Sequence, residues 1–290
     1  MINLLRISRP LYLVLAVLAY FLGIGLADYL GNPHAAVPFW LGLASTLLAL
    51  IAMFLLAEVF RPLADPILPE ETPARRKSLR DQMLYVSLMA LAVLLVAIFV
   101  IHNSGHLSAS AALYYFLLLG LALVYGVPPF RLVNRGFGEV VLAIQLAYVV
   151  PSLAFLLQAG TYHRLLAMMV FPLTALALAA LIVLDFPRYA GDRKYNRGTL
   201  LVKLGWERVV PFHNFLVLAA YLILLAAPLF GISLAVVWPA FLSFPFAVLQ
   251  ILSLRSIALG GKPIWALLTV TAIAVFGLTT YFLTLTFWLR

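Results

Sequence analysis

The chain has 290 residues, 65% of them hydrophobic and only 10% charged, which excludes a water-soluble globule. Such a domain is roughly half apolar and a quarter charged. Cysteine is absent, so disulfides, thiolate metal sites and cysteine nucleophiles are excluded as well.

A bilayer crossing takes about 20 apolar residues, so about nine crossings and their turns use up the chain. Residues 1–290 are therefore expected to form a single transmembrane domain, all-α and polytopic. Apolar runs place the crossings at 10–28, 38–60, 83–101, 109–126, 138–158, 163–184, 209–230, 232–254 and 263–289. The first run follows Arg6 and Arg9 and looks like a secretion signal. Tyr12 to Ala27 lacks a small-residue cleavage pattern, so it reads as a retained helix. The eighth run carries Pro239 and Pro245, tolerable in membrane helices when neighbours satisfy the freed carbonyls.

The formal net charge of +9 suggests nucleic acid until the charges are placed on this map. Seventeen of the 19 Lys and Arg fall on the N-terminal side of the bilayer, and only Arg164 and Arg290 on the other. The positive-inside rule puts the N-terminus in the cytoplasm and the C-terminus outside the cell (inner) membrane, so no nucleic-acid partner is needed. Two connections on the basic side, 61–82 and 185–208, are long and carry or adjoin most of the acidic residues, among them Glu70 and Glu71. Long loops in a compact fold carry function more often than short ones.

At the ends of the second and sixth runs one pattern occurs twice, acid-x-x-Arg-x-x-x-Asp: Glu58, Arg61 and Asp65, then Asp185, Arg188 and Asp192. On a helix each set lies along one face, although Pro62 and Pro187 interrupt that geometry. One reading is a pocket in which Mg²⁺, bound by carboxylates and phosphate oxygens, bridges a diphosphate. Arg131, Arg135, Arg193, Lys194, Arg197 and Lys203 would then hold the leaving phosphates. The alternative is that the carboxylates pair with neighbouring arginines. Duplication at matching positions favours function, because ionisable groups near membrane depth are costly.

The sequence resembles the UbiA-type family of intramembrane prenyltransferases. The likeness rests on Arg6-Ile-Ser-Arg9-Pro10, on Tyr125-Gly-Val-Pro-Pro-Phe-Arg131 continuing into Asn134-Arg-Gly-Phe-Gly-Glu139, on Asp185-Phe-Pro-Arg-Tyr-Ala-Gly-Asp192, and on Thr199-Leu-Leu-Val-Lys-Leu-Gly205. The second, third and fourth stretches are most similar to the 1,4-dihydroxy-2-naphthoate branch, which makes menaquinone precursors. The resemblance implies nine helices around a central cavity and transfer of a prenyl group from an isoprenyl diphosphate to an aromatic quinone-precursor acceptor. It also implies Mg²⁺, and a lipid-walled site built from Glu58, Asp65, Asp185 and Asp192 as catalytic and metal-binding carboxylates.

Two departures stand out. Where the family has Asn-Asp-x-x-Asp-x-x-x-Asp, this chain has Ala57, Glu58, Arg61 and Asp65; in the second motif Arg188 replaces an aspartate. Three explanations stay open. The arginines replace metal in gripping diphosphate, or they close the site as Arg61–Asp65 and Arg188–Asp192 pairs, or catalysis is lost and an isoprenoid-binding protein remains. Arg61, Arg131, Arg135, Arg188, Lys194, Arg197 and Lys203 are the expected diphosphate ligands. Tyr125, Glu139, Tyr189 and Asn196 are expected at the pocket, with Arg135–Glu139 pairing as an alternative role for the glutamate. No histidine pair has metal-ligand spacing supported by acids.

Overall fold

The computed structural model describes residues 7–62, 64–67 and 72–290; Arg6, Glu70 and Glu71 lie outside the described residues. Among the described residues nine helices are long and apolar enough to cross a membrane. They are α1 (Pro10–Tyr29), α2 (Ala36–Val59), α3 (Pro73–Asn103), α4 (Ala109–Gly126), α5 (Gly138–Ala159), α6 (Arg164–Lys194), α7 (Trp206–Leu225), α8 (Leu234–Ala258) and α9 (Trp265–Trp288). The all-α, multi-pass architecture expected from hydropathy is the one observed.

Differences from expectation lie at the helix ends. α3 starts ten residues before the apolar run, because Thr72 Oγ1 accepts the Arg75 N–H (3.3 Å) and Pro73 fills the first turn. Hydropathy registers only the part that lipid could cover, so residues 73–82 were expected as loop. The second long connection is also largely helical. α6 passes through a 3-10 turn at Phe186–Arg188 into Tyr189–Lys194, and Thr199 caps a short helix at Leu200–Leu204. α7 stops at Leu225, and a 3-10 turn occupies Ala227–Phe230. In α8, Pro239 and Pro245 each sit in the first turn of a new segment, where a missing N–H breaks no bond. In α5 a π turn at Gln145–Val149 precedes Pro151, widening the helix where the proline removes a bond and crowds a carbonyl.

α5 is the central element: 83% of its spanning window is buried, against 28% for α3 on the rim. It packs against α1, α2, α4 and α6, while α9 closes the bundle against α1 and α6. The contacts need small residues. Gly126, at the end of α4, is one: a Cβ there would lie 2.7 Å from the Ala57 backbone nitrogen. That approach brings the ends of α4 and α2 together beside Glu58.

The N-terminus and the α2–α3, α4–α5 and α6–α7 connections meet at one end, as the contacts of Arg9 with Tyr125 and of Asp65 with Arg197 require. At the opposite end Trp288 Nε1 donates to the Phe21 carbonyl (2.9 Å) and the Ala35 N–H to Gln158 (2.9 Å). Chemistry-bearing side chains concentrate at the first of these ends.

Candidate functional site

A cleft of about 740 Å³, including its mouth, opens at that end between α1, α2, α4, α5 and α6. Its walls carry five arginines (Arg9, Arg61, Arg131, Arg188, Arg197) and five carboxyl groups (Glu58, Asp65, Glu139, Asp185, Asp192). Tyr12, Tyr125, Asn134 and Thr199 complete the polar lining. Adjoining it is a narrow apolar cavity of about 270 Å³, open space included, formed by Leu15, Leu146, Ala177, Leu184 and Phe276 among others, which shares Tyr12 and Leu181 with the cleft. The site therefore has a charged mouth and a hydrocarbon floor.

The duplicated motif folds differently in its two copies. α2 ends at Val59, and the Asp65 N–H returns to the Pro62 carbonyl (3.1 Å), so the first copy wraps around a turn. There Arg61 lies between its neighbours, giving Nη1 to Glu58 Oε2 and Nε to Asp65 Oδ2, each at 2.8 Å. Asp65 also takes both arms of Arg197, Nη2 on Oδ1 (2.7 Å) and Nε on Oδ2 (2.8 Å). Arg197 Nη1 reaches Asp192 Oδ1 at 3.0 Å. Arg9 adds Nη2 3.7 Å from Glu58 and donates Nη1 to the Tyr125 hydroxyl at 3.3 Å. A continuous chain of alternating charge thus runs Arg9–Glu58–Arg61–Asp65–Arg197–Asp192, and Asp65 and Asp192 are each only 3% exposed.

This chain fixes the local electrostatics. Burial alone would raise the Asp65 carboxyl, but the hydrogen bonds from Arg197 and Arg61 outweigh it and hold it below the usual carboxylate range. The same bonds, with Asp65 foremost, raise the Arg197 guanidinium. Arg131 differs: burial pushes it down, with partial relief from Glu58. Its Nε is buried with no acceptor, its Nη2 meets only the Ala57 carbonyl at 3.5 Å, and its backbone is left-handed (φ 42°).

Two expected pairs are not observed. Arg188 makes no ion pair with Asp192, because Asp192 faces Arg197. Arg135 is exposed and donates to the Pro129 carbonyl (2.7 Å), leaving Glu139. Glu139 Oε1 instead accepts the Leu200 N–H (2.8 Å), Oε2 is buried without a hydrogen-bond partner, and the side chain lies near the Asp185 carboxyl with no guanidinium on it. Arg61–Asp65 is the expected pair that forms.

Of the expected site residues, Glu58, Arg61, Asp65, Tyr125, Arg131, Glu139, Asp185, Arg188, Asp192 and Arg197 line the cleft. Five others do not. Lys194 stands over the Tyr195 ring (5.3 Å), Lys203 packs beside Gly136 and Gly198, Tyr189 lines a separate apolar pocket with Trp206 and Trp265, and Asn196 and Arg135 are exposed. The 3-10 turn after Asp185 rotates Tyr189 away from the mouth. Arg9, Tyr12, Asn134 and Thr199 line the cleft without having been singled out as site residues. Arg9 was legible as a topology charge and as part of the Arg-Pro opening, without a site role; its left-handed backbone (φ 53°) becomes visible in the fold.

The expected Mg²⁺ set does not fit as arranged. Among the described residues no three His, Cys, Asp or Glu side chains converge on a common point. Guanidinium groups occupy Glu58, Asp65 and Asp192. Removing one partner from a buried ion pair costs about 3–5 kcal/mol, which a divalent ion would have to repay before binding.

No protein-family model matches the sequence, and no curated protein matches it. Two solved structures of a UbiA homologue from Archaeoglobus fulgidus do share the fold. One, bound to DMAPP and Mg²⁺, superposes with a TM-score of 0.65 at 14% identity over 97% of this chain and 99% of that one. The other, bound to GPP and Mg²⁺, gives a TM-score of 0.67 at 16% identity over 99% and 100% of the two chains. At that identity the likeness is one of fold, and it extends from the first helix to the last.

Proposed function

We propose that the protein is an intramembrane prenyltransferase that moves a prenyl group from an isoprenyl diphosphate to an aromatic, quinone-precursor acceptor. The observation that carries this reading is the union of a charged mouth, built from segments more than 120 residues apart, with an apolar cavity adjoining it. A prenyl diphosphate has the same two halves. The shared fold adds weight, since both similar structures are bound to prenyl diphosphates. With basic loops inside, the mouth would open to the cytoplasm.

In this reading the arginines stabilise negative charge as it develops on the departing diphosphate. Tyr12 stands where cleft and cavity meet, and its ring face suits the allylic cation left behind. The hydrocarbon floor excludes water that would quench that cation. The proton released when the aromatic ring restores its conjugation would pass to the carboxyl pair of Glu139, anchored through Oε1, and Asp185.

The purified protein, given radiolabelled dimethylallyl or geranyl diphosphate and a panel of hydroxylated naphthoates and benzoates, should release pyrophosphate and yield a prenylated ring. A second reading, an isoprenoid-binding protein without turnover, is favoured by the arginines that occupy Glu58, Asp65 and Asp192. Retention of labelled diphosphate with no product across the panel would select it.

A further inference from the structure

The ten charged groups of the cleft divide into two sets. Six form the alternating chain from Arg9 to Asp192. The remaining four are Glu139 and Asp185, which face each other, and Arg131 and Arg188, neither of which has a carboxylate within ion-pair distance among the described residues. Arg188 sits three residues after Asp185 and four before Asp192, yet Asp192 is bonded by Arg197 and Asp185 faces Glu139, with Arg188 acting on it only as a charge beyond ion-pair distance. Arg131 holds a buried Nε with nothing to donate to, on a left-handed backbone that a non-glycine residue adopts only when its surroundings impose it. A buried donor facing a cleft calls for an acceptor oxygen, from water or from a ligand.

We propose that the cleft takes the isoprenyl diphosphate as a metal-free anion gripped by Arg131 and Arg188, while Arg61 and Arg197 cover Glu58, Asp65 and Asp192 and leave Glu139 and Asp185 turned to each other. The inference rests on the prenyl-diphosphate reading above and specifies its mode of binding. A guanidinium offers two parallel N–H groups matched to two phosphate oxygens, and two of them match a diphosphate. Mg²⁺ demands near-octahedral oxygen geometry, and the carboxyl pair left without a guanidinium, Glu139 and Asp185, has Glu139 Oε1 already bound to the Leu200 N–H and no third acid converging on it among the described residues. Asp65 is clasped by three N–H groups and Asp192 by one.

The test is equilibrium binding of the thiolo analogue of geranyl diphosphate, which resists cleavage, to the full-length protein in lipid nanodiscs, with EDTA or with Mg²⁺. Affinity in EDTA should stay within about threefold of that in Mg²⁺. R131Q and R188Q should each weaken EDTA-resistant binding by about tenfold or more, the usual loss of a charged hydrogen bond. R135Q, outside the cleft, should bind like the wild type. R188D, which adds a carboxylate between Asp185 and Asp192, should shift binding toward dependence on Mg²⁺. Mn²⁺ paramagnetic resonance should find no tight site on the wild type and gain one in R188D. Thermal midpoints checked beside each titration separate loss of binding from loss of folding, and R188Q, at an exposed position, carries the test if R131Q unfolds. Wild-type binding that EDTA abolishes would overturn the metal-free mode and leave the prenyl-diphosphate reading standing. No binding of the analogue with or without Mg²⁺ would sink that reading as well. Equal affinity for inorganic pyrophosphate would overturn the isoprenyl assignment.

Discussion

The segments that follow α2 and that end α6 begin from the same pattern and arrive at different structures. In the first, α2 stops before the arginine, the chain turns at Pro62, and Arg61 closes on the acids either side of it. In the second, helical structure continues through the motif to Lys194, the intervening 3-10 turn leaves Arg188 at the mouth, and Asp192 is taken by an arginine five residues later. A spacing of three and four residues brings side chains together only where the backbone keeps one regular path. The duplicated motif therefore yields one closed arginine and one open one, and Arg197 ties the two copies together across 132 positions of sequence.

Removing that tie should have the largest effect on the comparison. Arg197→Met would leave Asp192 buried without compensation and Asp65 with Arg61 alone. With 27% of the Arg197 side chain exposed, the expected loss is about 3 kcal/mol, the low end for a broken buried pair. A fall in the thermal midpoint of the detergent-solubilised protein reads it, and Arg197→Lys, which cannot make the forked contact, should recover only part. An unchanged midpoint would mean that the two segments are held by the helices alone.

Acid should attack the same tie more gently. Asp65 has its carboxyl held below the ordinary range, so its contribution is complete above the unfolded value near 4 and disappears as pH falls through the folded one. The wild-type midpoint should therefore be flat in this respect from neutrality down to about pH 4 and fall below it. Asp65→Asn should start lower and lose less over that interval. Parallel curves for the two proteins would show that Asp65 is not the group that titrates.

Gly198 tests whether the position of the Arg197 loop matters as much as its charge. A Cβ there would run into the Asn134 carbonyl, a backbone group that cannot yield. Gly198→Ala should cost about 1–3 kcal/mol, the usual penalty of overpacking, and limited proteolysis should find the 195–205 segment more accessible.

The membrane architecture was legible because lipid imposes a simple rule: every crossing must be long, apolar and helical. Nine crossings, their order and the charged end all follow from hydropathy and the placement of Lys and Arg. The true start of α3 was also written in Thr72-Pro73, but a hydropathy window passes over a polar helix that leaves the lipid. The site was legible in its acids and its motif arginines, which carry strong local signals. Its partners were not. Arg197 pairs with Asp65 through tertiary packing that no local spacing encodes, and Tyr12 looks like any apolar-face aromatic until the cavity it lines is seen. Lys194 and Lys203 were expected at the phosphates because they are cations near the motif; helix phase turned them elsewhere.

The smallest expected change in stability belongs to Arg188, and that smallness is what sharpens the contrast with its counterpart. Arg61 is 15% exposed and bonds two carboxylates, so Arg61→Gln should destabilise by about 1–3 kcal/mol, the cost of leaving charged acceptors unmade. Arg188 is exposed and pairs with neither acid of its motif, so Arg188→Gln should stay within about 0.5 kcal/mol of the wild type, as exposed substitutions do. If the site works as proposed, the ranking inverts for ligand: Arg188→Gln should lose more diphosphate affinity per unit of stability lost than Arg61→Gln. Thermal midpoints taken with and without the thiolo analogue on the same two variants measure both quantities at once. Two variants that lose stability and ligand stabilisation in the same proportion would mean that the motif acts in the same way in both copies, against the geometry of the cleft.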